Sequence, residues 1–173
     1  MTLDMYKERN PLPVVLIALF DKGKILLAKR RREPYKGFYG ILGGRQTFGK
    51  LTKDIVKKEV LEETGFSVLE DTIETRGLYS EILLDKSGDP KDHFIFRVCK
   101  ADVESKLTDN LEKTDIEKFG WFDLPLNNKI KKNIIPTDLI MLEHVLSENK
   151  HEFKEFVIQE TEDPNKLKIV YLK

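Results

Sequence analysis

The period of the hydrophobic pattern changes several times along the chain, and those changes mark its elements. After Pro11-Leu12-Pro13, Val14 to Phe20 reads VVLIALF, an apolar, β-branched run too short for a typical helix and long enough for a buried strand. Asp21-Lys22-Gly23-Lys24 predicts a tight turn into KILLAKR, so the two runs form a hairpin. FYGIL predicts another short strand, ending at Gly43-Gly44. From Leu51 to Thr64 the pattern is helical, and Gly65 stands where a left-handed C-cap is usual. Phe66 to Leu69 returns to extended chain, and RGLYSEILLD and HFIFRVCKADV predict two strands joined through Lys86 to Pro90. Residues 104–118 are polar and predict a loop, after which GWF is a short aromatic strand. Pro136-Thr137-Asp138 starts a second helix, LIMLEHVLSEN, apolar nearly all round and therefore packed on the sheet. EFVIQ and LKIVYL, about Glu162 to Asn165, predict a C-terminal hairpin. Strands on both sides of a helix make the expected class mixed, α/β (α+β).

Composition narrows the class. A chain of 173 residues can bury one substantial core, and no repeat or low-complexity linker divides it, so residues 1–173 are expected to form one domain. No stretch approaches the roughly 20 consecutive apolar residues of a membrane helix, and Asp4 and Lys7-Glu8-Arg9 precede any apolar run, unlike a signal peptide. A cytoplasmic protein without membrane contact is expected. The single cysteine, Cys99, excludes an internal disulfide and a Cys-based zinc site, and its place in HFIFRVC predicts a buried thiol. Lys plus Arg and Asp plus Glu both total 30, so no global positive field gathers nucleic acid, and no specific nucleic-acid binding is expected. Local clusters must carry any anion binding. The densest, Lys29 to Arg32 with Lys36, reads equally as a solvated strand end or as side chains facing phosphates.

The chemistry concentrates at the end of the first helix. Glu59, Glu62 and Glu63 stand at i, i+3 and i+4 and share one face. That face also carries Ile55, flanked by Leu51, Val56 and Val60, whereas Lys53, Asp54 and Lys57 lie on the solvated side. Carboxylates in the last turns oppose the helix dipole, by roughly several tenths of a kcal/mol each, and repel one another. A bound divalent cation offsets both costs, and an all-oxygen set with room for water suits Mg²⁺ or Mn²⁺. Gly43-Gly44 permits close backbone approach and can turn a carbonyl toward the same ion. The alternative is an ordinary helix ending, with Lys58 pairing to Glu62 at i+4.

These residues resemble the Nudix box of the Nudix hydrolase superfamily: Gly, five residues, Glu, seven residues, Arg-Glu-hydrophobic-any-Glu-Glu-any-Gly-hydrophobic. Gly44, five residues, Lys50, seven residues, then Lys58 to Phe66 as KEVLEETGF keeps that spacing without a gap. KILLAKRRR and Tyr39 to Gly44 resemble the family's arginine-ended strand and its approach to Gly-Gly, and Gly120-Trp121-Phe122 resembles a later strand. The resemblance covers residues 12–125 and leaves 126–173 as a helix-plus-hairpin extension. It implies an α/β/α sandwich around a mixed β-sheet and hydrolysis of a nucleoside diphosphate linked to another group, with ADP-ribose, nucleotide sugars and nucleoside triphosphates as the candidate classes. It also implies Glu59, Glu62, Glu63 and the Gly43 carbonyl as metal ligands. A loop carboxylate before the Trp-bearing strand serves as base in many members. Asp115 matches it best, Glu112 and Glu117 compete, and other members use a box glutamate.

Three departures bear on activity: Lys50 replaces the first box glutamate, Lys58 the arginine, and Leu42 the proline before Gly-Gly. Lys58 lacks the planar fork that holds a carboxylate bidentately. Lys50 reverses a charge, and it either repels a metal or contacts phosphate. Arg30, Arg32, Tyr39, Arg45 and Lys50 are the expected substrate contacts, although Tyr35, Phe38 and Tyr39 read as well as core aromatics. SEILLDKSGDPKDH is similar to the corresponding connection in ADP-ribose-hydrolysing members, and His93 within it reads as a structural residue. The competing reading is a catalytically silent Nudix-fold protein that senses a nucleotide. Winged-helix regulators add a segment that the short tail does not resemble, and isomerase chemistry would call for a cysteine near the box. A homodimer remains open.

Overall fold

In the first strand, β1 (Leu12–Asp21), the pleat sends alternate side chains to two separate cores. The structure, a computed structural model, describes residues 10–107, 116–147 and 152–173. Val15, Ile17 and Leu19 enter one core with Leu26, Ala28, Cys99 and the helix residues Ile55, Val56 and Val60. Ala18 enters the other with Ile25, Leu27, Tyr79 and the second long helix's Met141, Leu142 and Val145. A sheet apolar on both faces must be covered on both, and the fold is accordingly an α/β/α sandwich.

The hairpin partner is β2 (Lys24–Arg30), antiparallel to β1. FYGIL, expected as one strand, is instead two: β3 (Tyr39–Gly40) pairs with β2, and β4 (Leu42–Arg45) pairs with β1. The partners change at Ile41, whose N–H is taken by the Asp138 carboxylate at 3.0 Å. The first long helix, α1 (Thr52–Thr64), is followed by the short strand β5 (Phe66–Val68) and a 3-10 turn at Glu70–Thr72. Two long strands follow, β6 (Glu74–Leu84) and β7 (Pro90–Lys106). β7 runs parallel to β1 and antiparallel to β6 and β5. It extends through residues 104–106, expected as loop, and β8 (Ile116–Asp123) pairs with β2. Asp115 and Glu112 lie outside the described residues, as does the Glu117 side chain.

A short helix, α2 (Asn128–Lys131), capped by the Asn127 side chain, precedes α3 (Pro136–Leu146). The tail forms the expected hairpin, β9 (Glu152–Gln159) with β10 (Lys168–Leu172). β9 runs parallel to β6, so the sheet order is β10-β9-β6-β7-β1-β2-β3. Among the described residues, no helix is long and apolar enough to cross a membrane.

Candidate active site

Helix α1 is fixed at both ends. The Leu51 N–H donates to the Asp54 carboxylate at 3.1 Å, closing the N-terminus, and Gly65 at φ 76° donates to the Leu61 carbonyl at 2.9 Å. Leu51, expected beside the core-facing side, is instead exposed, because it caps the helix from outside its first turn. Ile55, Val56, Val60 and Thr64 face the sheet. On the opposite side Lys53 and Lys57 both hold Glu70, pulling its carboxyl down to about 2. The helix is thus held in rotation as well as in place.

That rotation sets the three glutamates at the boundary of the core. The Glu59 side chain is 13% exposed and that of Glu62 28%. Lys58 Nζ donates to Glu59 Oε1 and to Glu62 Oε2, each at 2.9 Å. No basic residue lies in the last turn to oppose the helix dipole. Gly44 is pressed against Glu59 from the sheet side: a Cβ there would meet the Glu59 carboxyl carbon at 2.1 Å. Gly43 is pressed against β1, where a Cβ would fall 2.5 Å from the Val15 carbonyl oxygen. Among the described residues, no three acidic, imidazole or thiol side chains are gathered closely enough to make a complete metal set as they stand. The donors nevertheless suit a hard divalent cation, since all are oxygens and a cation, the Lys58 ammonium, already bridges two of them.

Glu63 and Gly43 open onto a cleft of about 410 Å³ between the sheet and α3. This is within the range of small-molecule sites, about 300–1,000 Å³. Arg30 also lines it, its Nε held by the Pro34 carbonyl at 2.9 Å. Of the other expected contacts, Arg32 is exposed beyond β2, Arg45 and Lys50 are exposed beside the box loop, and none of the three lines this cleft. Lys50 serves the loop through its backbone, its carbonyl accepting from Gln46 Nε2 at 2.7 Å. The Tyr39 ring packs edge-on against Phe122 at 5.0 Å. Tyr35, buried, does line the cleft, and burial pushes its phenol up to about 12. His93 Nε2 lies 2.9 Å from Ser80 Oγ, a structural contact between strands. Cys99 is fully buried, and its thiol is pushed up by that burial.

Two cleft residues escaped the sequence reading. Glu81 is buried on β6, on the same side as Tyr79 and Leu83, and burial pushes its carboxyl up to about 7 against a hydrogen bond from Thr137. Asp138, at the start of α3, is raised to about 6 by burial, opposed by the Ile41 N–H and by Arg30. A glutamate in phase with two large apolar residues of one strand was a visible signal for Glu81. Nothing local distinguishes Asp138 from an ordinary first-turn acid, because its partner is 97 positions away.

The family model described as the NUDIX domain matches residues 10–141. The ADP-ribose pyrophosphatase of Methanocaldococcus jannaschii is 33% identical over 104 residues, which are 58% of this chain and 55% of that protein. The chain thus spans about half the length of the curated relative it matches. Among solved structures, a MutT protein from Bacillus halodurans superposes with TM-score 0.68 at 21% identity, covering 94% of this chain and 96% of that one. The NUDIX domain of Shewanella oneidensis NrtR, complexed with ADP ribose, gives TM-score 0.60 at 17% identity, covering 80% and 88%.

Proposed function

The chain belongs to the NUDIX domain family, and from that premise we propose that it is a divalent-metal-dependent hydrolase cleaving the diphosphate linkage of a nucleoside diphosphate derivative. The observation that carries this reading is the cleft that reaches Glu63 and Gly43 at the glutamate end of α1 while also presenting Arg30. Charge for a diphosphate and charge for a cation meet there.

Glu59, Glu62 and Glu63, with the Gly43 carbonyl, would hold the metal, Mg²⁺ or Mn²⁺. When bound, it supplies neutralisation of phosphate charge and a more acidic water. The remaining work belongs to the chain. Gly44, lacking a side chain, lets the Glu59 carboxylate lie against β4. Arg30, its plane fixed through Nε on Pro34, holds diphosphate oxygens and sets the register of the phosphorus atoms. Apolar walls from Leu16, Phe94 and Phe96 exclude bulk water, which strengthens each of these contacts. The proton of the attacking water passes to a carboxylate, Asp115 ahead of β8 or one of the α1 glutamates. Among substrates, ADP-ribose is the first choice, supported by the name of the Methanocaldococcus relative and by the ligand of the Shewanella structure.

One observation favours a second reading. Lys58 occupies the two carboxylates that a metal needs, which suits a silent module that binds nucleotide without cleaving it. Incubation with Mg²⁺ and a panel of ADP-ribose, nucleotide sugars, dinucleoside polyphosphates and nucleoside triphosphates separates the two. Product nucleotide from at least one class supports the hydrolase, and binding without turnover supports the sensor. Asp115→Asn then tests the base: a large loss of kcat with the Mg²⁺ requirement unchanged assigns it to Asp115, and little loss leaves it with an α1 glutamate.

A further inference from the structure

Glu81 Oε2 is buried and accepts no hydrogen bond from the described residues, while the carboxyl's other contact is Thr137. Leaving such an acceptor unmatched costs the full desolvation of the atom, and buried polar atoms nearly always find a partner. The described residues supply none, and the atom belongs to a residue lining the cleft. The same cleft is lined by Leu83, Phe94, Phe96, Ile158 and Leu167, and by the polar side chains of Arg30, Asp92 and Asp138; the Phe94 and Phe96 rings are stacked 5.6 Å apart. Asp138, also in the cleft, holds the Ile41 N–H through one oxygen where the chain changes strand partners. A planar heterocycle carrying N–H groups at its edge satisfies both the apolar walls and the unmatched Glu81 acceptor.

We propose that this part of the cleft is a nucleobase site in which Glu81 Oε2 accepts a hydrogen bond from a ring or amino N–H of a purine, making Glu81 a specificity-determining residue. The proposal rests on the cleft being the nucleotide site described above. It goes further by naming the part of the ligand that is read and the atom that reads it.

The test uses binding, so that absence of hydrolysis does not bear on it. AMP, GMP and purine riboside 5′-monophosphate, which lacks every exocyclic amino group and ring N–H donor of the other two, are titrated calorimetrically without metal into the full chain. The wild type is expected to bind AMP or GMP at least about tenfold more tightly than the donor-free analogue, since a buried acceptor penalises a ligand that leaves it unpaired. Glu81→Leu is expected to lower that preference to about twofold or less. Should Glu81→Leu fail to fold, the near-isosteric Glu81→Met, whose thioether is only a weak acceptor, is read the same way, with the preference expected to fall by about threefold or more. Equal binding of all three nucleotides by the wild type overturns the proposal. So does a preference that survives unchanged in the variants. A third contrary result is loss of affinity on removing the ribose 2′- or 3′-hydroxyl that disappears in Glu81→Leu, which would put the contact on the sugar.

Discussion

Gly44 lies so close to Glu59 that a methyl group added to the glycine would sit 2.1 Å from the carboxyl carbon. The obstacle is the far end of a flexible side chain, which can swing away. At Gly43 the obstacle is the Val15 main chain, 2.5 Å from the added carbon, with the Leu16 side chain at 2.7 Å. The two adjacent glycines should therefore fail differently. Gly43→Ala is expected to destabilise the fold by about 1–3 kcal/mol, as overpacking against a fixed neighbour does. Gly44→Ala should change thermal stability less and lower turnover more, because it displaces Glu59. Thermal melts beside kcat for both variants check this, and equal loss of stability in the two would contradict it.

Lys58 sits between two carboxylates in place of the family's arginine. Its side chain is about half exposed, so the pair of contacts is worth less than about 1 kcal/mol. Lys58→Ala should cost little stability without metal but leave Glu59 and Glu62 repelling each other. The upward shift in melting temperature on adding Mg²⁺ should consequently be larger in Lys58→Ala than in the wild type. A smaller shift would mean that Lys58 helps to build the site and does not compete for it.

The buried Glu81 makes stability depend on pH. Its carboxyl is raised from 4.5 to about 7 in the folded protein, so between these values the native state binds more protons than the unfolded chain. Stability from this group is therefore full at low pH and is lost as pH rises through about 7. Each pH unit of that interval is worth about 1.4 kcal/mol. Glu81→Gln removes the dependence. It should melt near the wild-type temperature at pH 5 and above it at pH 8, and an equal difference at the two pH values would contradict the assignment.

What the sequence disclosed, and what it withheld, follows from range. The hairpin at Gly23, the C-cap at Gly65, the α3 start at Pro136 and the tail hairpin are local features, each signalled by residues within a few positions. The glutamate face of α1 was legible for the same reason, since i, i+3, i+4 spacing is a property of one helix. The splitting of FYGIL was not legible, because it depends on Asp138 reaching Ile41 across the fold. Nor was the placing of β9 beside β6, a parallel pairing whose hydrogen bonds no turn announces. The exposed Arg32, Arg45 and Lys50 show the remaining limit. Charge density marks a candidate anion site, but only packing shows that Arg30 is the member of its patch lining the cleft.

The most direct measurement is Mg²⁺-dependent release of AMP from ADP-ribose by the wild type, Glu62→Gln and Glu63→Gln, each confirmed folded by its melting curve. If the glutamate end of α1 carries the chemistry, the wild type should turn over only with divalent metal, and each variant should lose at least about a hundredfold in kcat/KM. Cleavage that persists in both variants at the wild-type rate, or that proceeds equally well in a chelator, would contradict the assignment of catalysis to this face.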